Sequence, residues 1–187
     1  MIVVNNETLD LIKQDIDRDN MVFAGSTIAE YIKSKNPHEN LVLKMKRKAI
    51  IVDIDGTISE NVTGRPWFGK GAAEGMLTDK PYTDIMNLID SYAYNYDLHV
   101  LILTGRHKGK ELEATKKWLD KNYFEYDEIY ARDLNDYSKT AVYKEKVYEE
   151  KIKPFYDIVM VFEDNNACVQ MFRSKGLTVL QPQNSDY

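Results

Sequence analysis

Residues 48–57 read Lys48-Ala49-Ile50-Ile51-Val52-Asp53-Ile54-Asp55-Gly56-Thr57. The stretch Ala49–Val52 is of strand length, rich in β-branched residues and apolar at every position, so it does not alternate as a half-wetted strand would. A strand of this kind is buried on both faces, as in a parallel sheet lying between two layers of helices. The chain beyond it keeps alternating. A helix is predicted from about 81 to 95, a strand at 98–103, a helix from about 109 to 122 and a short strand near 127–131. There follow a helix from about 138 to 152, a strand at 157–162, a helix from about 165 to 175 and a last strand at 177–180. Ser138 lies just ahead of the helical run with Val142, Val147 and Ile152, and Gly176 stops the helix before Leu177. The pattern predicts an α/β fold, a Rossmann-like parallel sheet with helices on both faces.

Upstream of the quoted stretch the character changes. Leu9, Leu11, Ile12 and Ile16 recur at helical spacing, Ser26 precedes a second short helical stretch at 27–34, and Asn36-Pro37 breaks it. Residues 1–45 therefore read as a short helical N-terminal extension and 46–187 as the main domain. The chain has 187 residues, 25 Lys and Arg against 30 Asp and Glu, and a formal charge of -5, so no overall cationic field draws it to nucleic acid. Its one cysteine, Cys168, closes no intrachain disulfide, and the start MIVVNNETLD has no signal pattern, which suits a reducing cytoplasm. The apolar runs are far short of the roughly 18 residues that span a bilayer, and no membrane contact is expected. The stripe Leu9, Ile12, Ile16 leaves a homo-oligomer open, beside simple packing onto the domain.

In open parallel sheets ligands collect outside the carboxyl ends of the strands. The first strand ends there in Asp53 and Asp55, which share a face in an extended chain. Such a pair can divide nucleophile and general-acid roles or hold a divalent cation, or it can simply end the strand and bond the turn. The strand at 98–103 runs into Thr104-Gly105-Arg106, whose guanidinium can take two phosphate oxygens. The strand at 157–162 runs into Glu163-Asp164-Asn165, oxygen ligands of the kind Mg²⁺ prefers. Lys144, on the helix before it, is either a solvated residue or a point charge bridging a nucleophilic aspartate and a phosphate oxygen.

Taken together, DIDGT, TGR, a helical lysine and ED resemble the four motifs of the haloacid dehalogenase-like phosphatase superfamily, and within it the 3′-phosphatase domain of phage-type polynucleotide kinase/phosphatase, from about Lys46 to Tyr187. Asn61-Val62-Thr63-Gly64-Arg65, Ala131-Arg132-Asp133 and the close QPQNSDY look alike as well. The resemblance implies Asp53 as nucleophile and Asp55 as general acid and base. It implies Mg²⁺ on the Asp53 and Asp164 carboxylates and the Asp55 carbonyl, with Thr104 and Lys144 holding the transferring oxygens. Gly56, Thr57, Arg65, Gly105, Arg106 and Arg132 would contact the substrate, and Glu163 would orient Lys144 or an inner-shell water. Two departures stand out: Glu163 where that family has an aspartate, and Thr140 where it has one a turn before the lysine. They predict altered rate or pH dependence.

A GxxxxGK[ST] loop, which the kinase of the two-domain enzymes needs, is not matched: Gly64 to Gly71 lacks the final Ser/Thr, and Phe23-Ala24-Gly25-Ser26-Thr27 lacks the lysine. The chain thus reads as a stand-alone phosphatase module. The stretches between Thr57 and Pro81 and between Arg106 and Lys144 leave room only for a small cap or none, which suits a bulky substrate. Lys70, Lys80, Lys108 and Lys110 either flank that opening or are simply solvated, and Trp67-Phe68 either stack a base or pack the flap. The expectation is a Mg²⁺-dependent phosphomonoesterase acting on 3′-phosphate ends of nucleic acid or on 3′-nucleotides. The alternatives are a 5′-nucleotidase and a noncatalytic nucleic-acid or protein binding module.

Overall fold

In a computed structural model, residues 46–185 are described, and the predicted helical extension over 1–45 lies outside them. The decisive apolar stretch forms β1 (Arg47–Val52), the centre of a five-stranded parallel sheet. On one side of it lie β4 (His99–His107) and then β5 (Glu128–Arg132); on the other lie β6 (Tyr156–Phe162) and β7 (Val179–Leu180). Between β1 and β4 the chain makes a flap: β2 (Ser59–Glu60), the short helix α1 (Ala72–Met76) and β3 (Lys80–Pro81), with β2 and β3 antiparallel. The covering helices are α2 (Thr83–Tyr96), α3 (Lys110–Lys121), α4 (Thr140–Val147) and α5 (Asn166–Ser174). No helix among the described residues is long and apolar enough to cross a membrane.

Unbroken apolarity becomes two cores because alternate strand residues point to opposite faces. Ala49, Ile51, Leu101 and Leu103 pack with Tyr143, Val147, Val169 and Phe172 of α4 and α5. Ile50, Val52, Val100 and Ile102 pack with Met86, Ile89, Trp118 and Leu119 of α2 and α3. The expected α/β architecture with its small cap is therefore the observed one.

Three local differences have physical causes. The helix predicted over 138–152 is α-helical only to Val147 and then widens into a π turn, Tyr148–Ile152, with the Lys153 amide donating to the Tyr148 carbonyl at 2.8 Å. The wider turn keeps Val147, Tyr148 and Ile152 all in the core. Thr104-Gly105-Arg106 do not follow the strand but belong to it. A register shift between Leu103 and His107 lets β4 continue, with His107 pairing Arg132. The flap helix α1 carries no strong apolar period, and it is held by Ala72 and Met76 packing on Ala114 of α3.

Candidate active site

Asp53 directly follows β1, and Glu163 and Asp164 follow its neighbour β6. The chain turns out to β4 and β5 on one side of β1 and returns to β6 on the other, so this is the point where a crevice opens in a doubly wound sheet. Past Asp55 the backbone tightens: the amides of Thr57, Ile58 and Ser59 all donate to the Ile54 carbonyl at 3.0–3.1 Å. Gly56 sits in this turn at φ 82°, a conformation that side chains rarely adopt.

Lys144, fully buried on α4, joins two of the carboxylates. Its Nζ donates to Asp53 Oδ1 at 2.6 Å and to Glu163 Oε2 at 2.7 Å. The Thr57 hydroxyl lies 3.1 Å from Asp164 Oδ1 and 3.4 Å from Asp53 Oδ2, and the Ser185 hydroxyl donates to Asp164 Oδ2. Oxygens of Asp53, Glu163 and Asp164 come within 4.8 Å of one another. Three buried carboxylates thus crowd together, and one ammonium bonds two of them. Burial raises the Asp53 carboxyl well above its ordinary range against the pull of Lys144, with Glu163 and Asp164 adding to the rise. Burial and Asp164 likewise raise Glu163. Burial disfavours the Lys144 cation, yet Asp53 and Glu163 outweigh it and hold its pKa well above the usual lysine value. All-oxygen donors with negative charge left over fit a hard divalent cation such as Mg²⁺.

A second charged cluster adjoins the first. Arg106 grips Asp55 with two bonds, Nε to Oδ2 at 2.8 Å and Nη2 to Oδ1 at 2.6 Å, and Arg65 Nη2 reaches the same Oδ1 at 2.7 Å. Asp79, which no sequence signal marked, takes Arg65 at 2.6 and 2.9 Å and Arg106 at 3.0 Å. Burial pushes the Asp55 carboxyl upward, but the two guanidiniums prevail and hold it below its ordinary value. Asn61 shapes the loop that delivers Arg65, bonding its amide and carbonyl at 3.0 Å each. Thr115 and Ser59 take the remaining Arg106 contacts at 3.0 and 3.4 Å.

A cleft of 150 Å³ opens onto these groups, lined by Asp53, Asp55, Gly105, Arg106, Thr140, Lys144, Glu163 and Asn165, with Trp67 and Phe68 of the flap at its mouth. Arg65 and Arg132 do not line it. Arg132 lies behind Gly105, donating to the carbonyls of Gly105 and Ser138 at 3.2 and 2.5 Å and to Thr140 Oγ1 at 3.3 Å, with its guanidinium 4.7 Å from the Tyr143 ring centre. In the protein alone it braces Gly105 to the start of α4. Thr104 is buried and accepts the Arg106 amide at 3.2 Å. Lys80 pairs loosely with Glu60 at 3.7 Å.

A parallel α/β sheet that gathers a DxD strand end, a buried lysine and an acidic pair at one crevice is a phosphatase of the haloacid dehalogenase-like class. The family model for the phosphatase domain of polynucleotide kinase PNKP matches residues 47–187, and the chain belongs to that family. It is 24% identical over 142 residues to a candidate bifunctional polynucleotide kinase/RNA ligase of Autographa californica nuclear polyhedrosis virus, covering 75% of this chain and 20% of that one. A chain in the structure of a Pnkp1/Rnl/Hen1 complex is 29% identical, with a TM-score of 0.67 over 76% of this chain and 48% of that one. A haloacid dehalogenase-like family protein, SP0104 from Streptococcus pneumoniae, shares the fold at 15% identity and a TM-score of 0.50, over 72% and 84% of the two chains. The chain thus spans about a fifth of the viral relative and about half of the Pnkp1/Rnl/Hen1 chain.

Proposed function

We propose that this phosphatase removes the 3′-phosphate from nucleic-acid ends, with RNA the favoured polymer. The observation that carries the reading is the Lys144 bridge between Asp53 and Glu163 beside Asp164, within a chain of the polynucleotide-kinase phosphatase family. RNA is favoured because the viral relative is named for polynucleotide kinase and RNA ligase together.

An Asp53 oxygen attacks phosphorus, the bond from phosphorus to the 3′-oxygen breaks, and an aspartyl-phosphate forms. Lys144 holds the attacking carboxylate in place and balances charge on the transferring oxygens, while Glu163 keeps that ammonium aimed inward. Asp55 gives its proton to the departing 3′-oxygen and later takes one from the water that cleaves the acyl phosphate, releasing inorganic phosphate. The clamp of Arg65 and Arg106 leaves Asp55 ionised at rest. A phosphate dianion drawn to Arg106 loosens that hold and, as a like charge, restores the affinity of Asp55 for a proton. The Asp53 and Asp164 carboxylates and the Asp55 carbonyl would hold Mg²⁺. When bound, it offsets the repulsion between an anionic nucleophile and an anionic phosphate.

The test is phosphate release, with Mg²⁺, from 3′-phosphorylated and 5′-phosphorylated oligonucleotides and from 3′- and 5′-mononucleotides. The 3′ ends should turn over fastest, and Asp53→Asn should lower kcat by about 10³-fold or more. Faster release from 5′-phosphates, or full activity in the Asp53→Asn protein, defeats the proposal.

A further inference from the structure

Beyond β7, residues 181–185 run beside the loop that joins β6 to α5 and carries Glu163, Asp164 and Asn165. Gln181 Nε2 donates to the Asp164 carbonyl at 2.9 Å and to Asn166 Oδ1 at 2.8 Å. The Ser185 amide donates to the same Asp164 carbonyl at 3.3 Å, and the Ser185 carbonyl accepts the Asn166 amide at 2.9 Å. Asn166 Nδ2 in turn donates to Asn184 Oδ1 at 2.6 Å. Ser185 also gives its hydroxyl to Asp164 Oδ2, so one residue holds both the main chain and the side chain of Asp164. The other carboxylate oxygen, Oδ1, has the Thr57 hydroxyl at 3.1 Å, which itself lies 3.4 Å from Asp53 Oδ2. Asp164 is fully buried, whereas Ser185 is half-buried in a segment whose neighbours Gln183 and Asn184 are exposed.

We propose that Ser185 is a positioning residue for the cation: its hydroxyl fixes the orientation of the Asp164 carboxylate and so presents Oδ1, the oxygen beside Thr57, to the metal. The inference rests on the reading of Asp53 and Asp164 as Mg²⁺ ligands and adds to it a residue outside the four motifs. Ser185 lies in QPQNSDY, 21 positions beyond Asp164 in the chain. Carboxylates whose oxygens come within 4.8 Å of one another repel when ionised, and each must be held in place if a cation is to find them together. The Lys144 ammonium bonds Asp53 and Glu163. Asp164 is held instead by hydroxyls, Thr57 at one oxygen and Ser185 at the other. A hydroxyl suits that task, since it donates to an ionised oxygen yet brings no positive charge to compete with the metal. Partners that orient a ligating carboxylate from behind set metal affinity without touching the metal.

Titration of the substrate-free full chain with Mg²⁺, by calorimetry and by thermal melts at rising Mg²⁺, tests this. Ser185→Ala should raise the Kd for Mg²⁺ about tenfold or more. The Mg²⁺ midpoint of phosphate release should move by the same factor, while kcat at saturating Mg²⁺ stays within about twofold of the wild type. Ser185→Thr, which keeps the hydroxyl, should restore binding. Ser174→Ala removes a hydroxyl that bonds only the Met171 carbonyl at 2.7 Å on the exposed side of α5, and should leave the Kd alone. A Kd unchanged in Ser185→Ala, even with a lower Tm in EDTA, makes residues 181–185 a structural clasp and overturns the inference, while loss of binding in Asp164→Asn would keep the metal reading intact. If Ser185→Ala does not fold, Ser185→Cys, a weaker donor of similar size, decides: a raised Kd supports the inference and an unchanged one overturns it. A wild type that binds no Mg²⁺ overturns it together with the metal reading. Weaker Mg²⁺ binding in Ser185→Ala, in a protein that hydrolyses no 3′ ends, supports it and defeats the 3′-phosphatase reading alone.

Discussion

Asp79 is the residue on which the arginine clamp turns. Its carboxylate is buried and meets Arg65 and Arg106 at 2.6–3.0 Å, while its carbonyl accepts the Trp118 indole at 2.8 Å. Two guanidiniums thus face two carboxylates, Asp55 and Asp79, and the cluster is balanced. Asp79→Asn removes one charge and leaves both arginines to Asp55 alone. The expected cost is about 3 kcal/mol of stability, since a buried cation loses its partner. Asp55 should then hold its proton less firmly, so the limb of the kcat profile that requires it protonated moves to lower pH. Asp79→Glu should recover part of both effects. A stability loss with an unmoved pH profile would reduce Asp79 to a packing role. Nothing in the sequence marked this residue, because an aspartate in a polar loop becomes informative only once Arg65 and Arg106 are known to converge on it.

The flap is the element that brings Arg65 to Asp55, and α1 depends on a close approach for it. A Cβ built on Gly75 would lie 2.6 Å from both Cβ and Cδ of Arg65. Helix propensity alone favours alanine there by about 1 kcal/mol. The clash reverses the sign, and Gly75→Ala should cost about 1–3 kcal/mol and displace Arg65, lowering kcat/KM with it. In an Arg65→Gly background, which removes both clashing atoms, the same change should become neutral or stabilising, a crossing of sign that a double-mutant cycle by urea denaturation reads directly. Additive losses would show that Gly75 serves something other than Arg65. The existence and order of the sheet strands and their covering helices were legible, since apolar runs and helical spacing carry them. The flap was not. Its strands are two residues each and its helix five, too short to display a period; the strands are fixed by pairing with each other and the helix by contacts with α3. The continuation of β4 through Thr104-Gly105-Arg106 was hidden for a related reason, because it depends on a register shift against β5.

Across the whole molecule, a scaffold with two apolar cores holds a concentration of charge where its central strands end. The four motifs were readable in advance because each follows a recognisable strand or helix, and the topology then brings Asp53, Lys144, Glu163 and Asp164 together. The cost of that gathering depends on pH. Burial, with the neighbouring carboxylates, raises Asp53 well above 3.8 and Glu163 above 4.5, Lys144 opposing. Without a cation, the folded protein binds more protons than the unfolded chain between those ordinary values and the raised ones, so stability falls as pH climbs through that window. A divalent cation prefers the deprotonated carboxylates and reverses the trend. Mg²⁺ at a hundred times its Kd should add about 2.7 kcal/mol, which for a chain of this size raises Tm by roughly 5–10 °C. The increase should be largest near pH 8 and smaller at pH 5. Asp164→Asn should remove most of it at either pH. Thermal melts with and without EDTA provide the measurement, and an equal shift at both pH values would mean that Mg²⁺ stabilises the protein somewhere other than among these carboxylates.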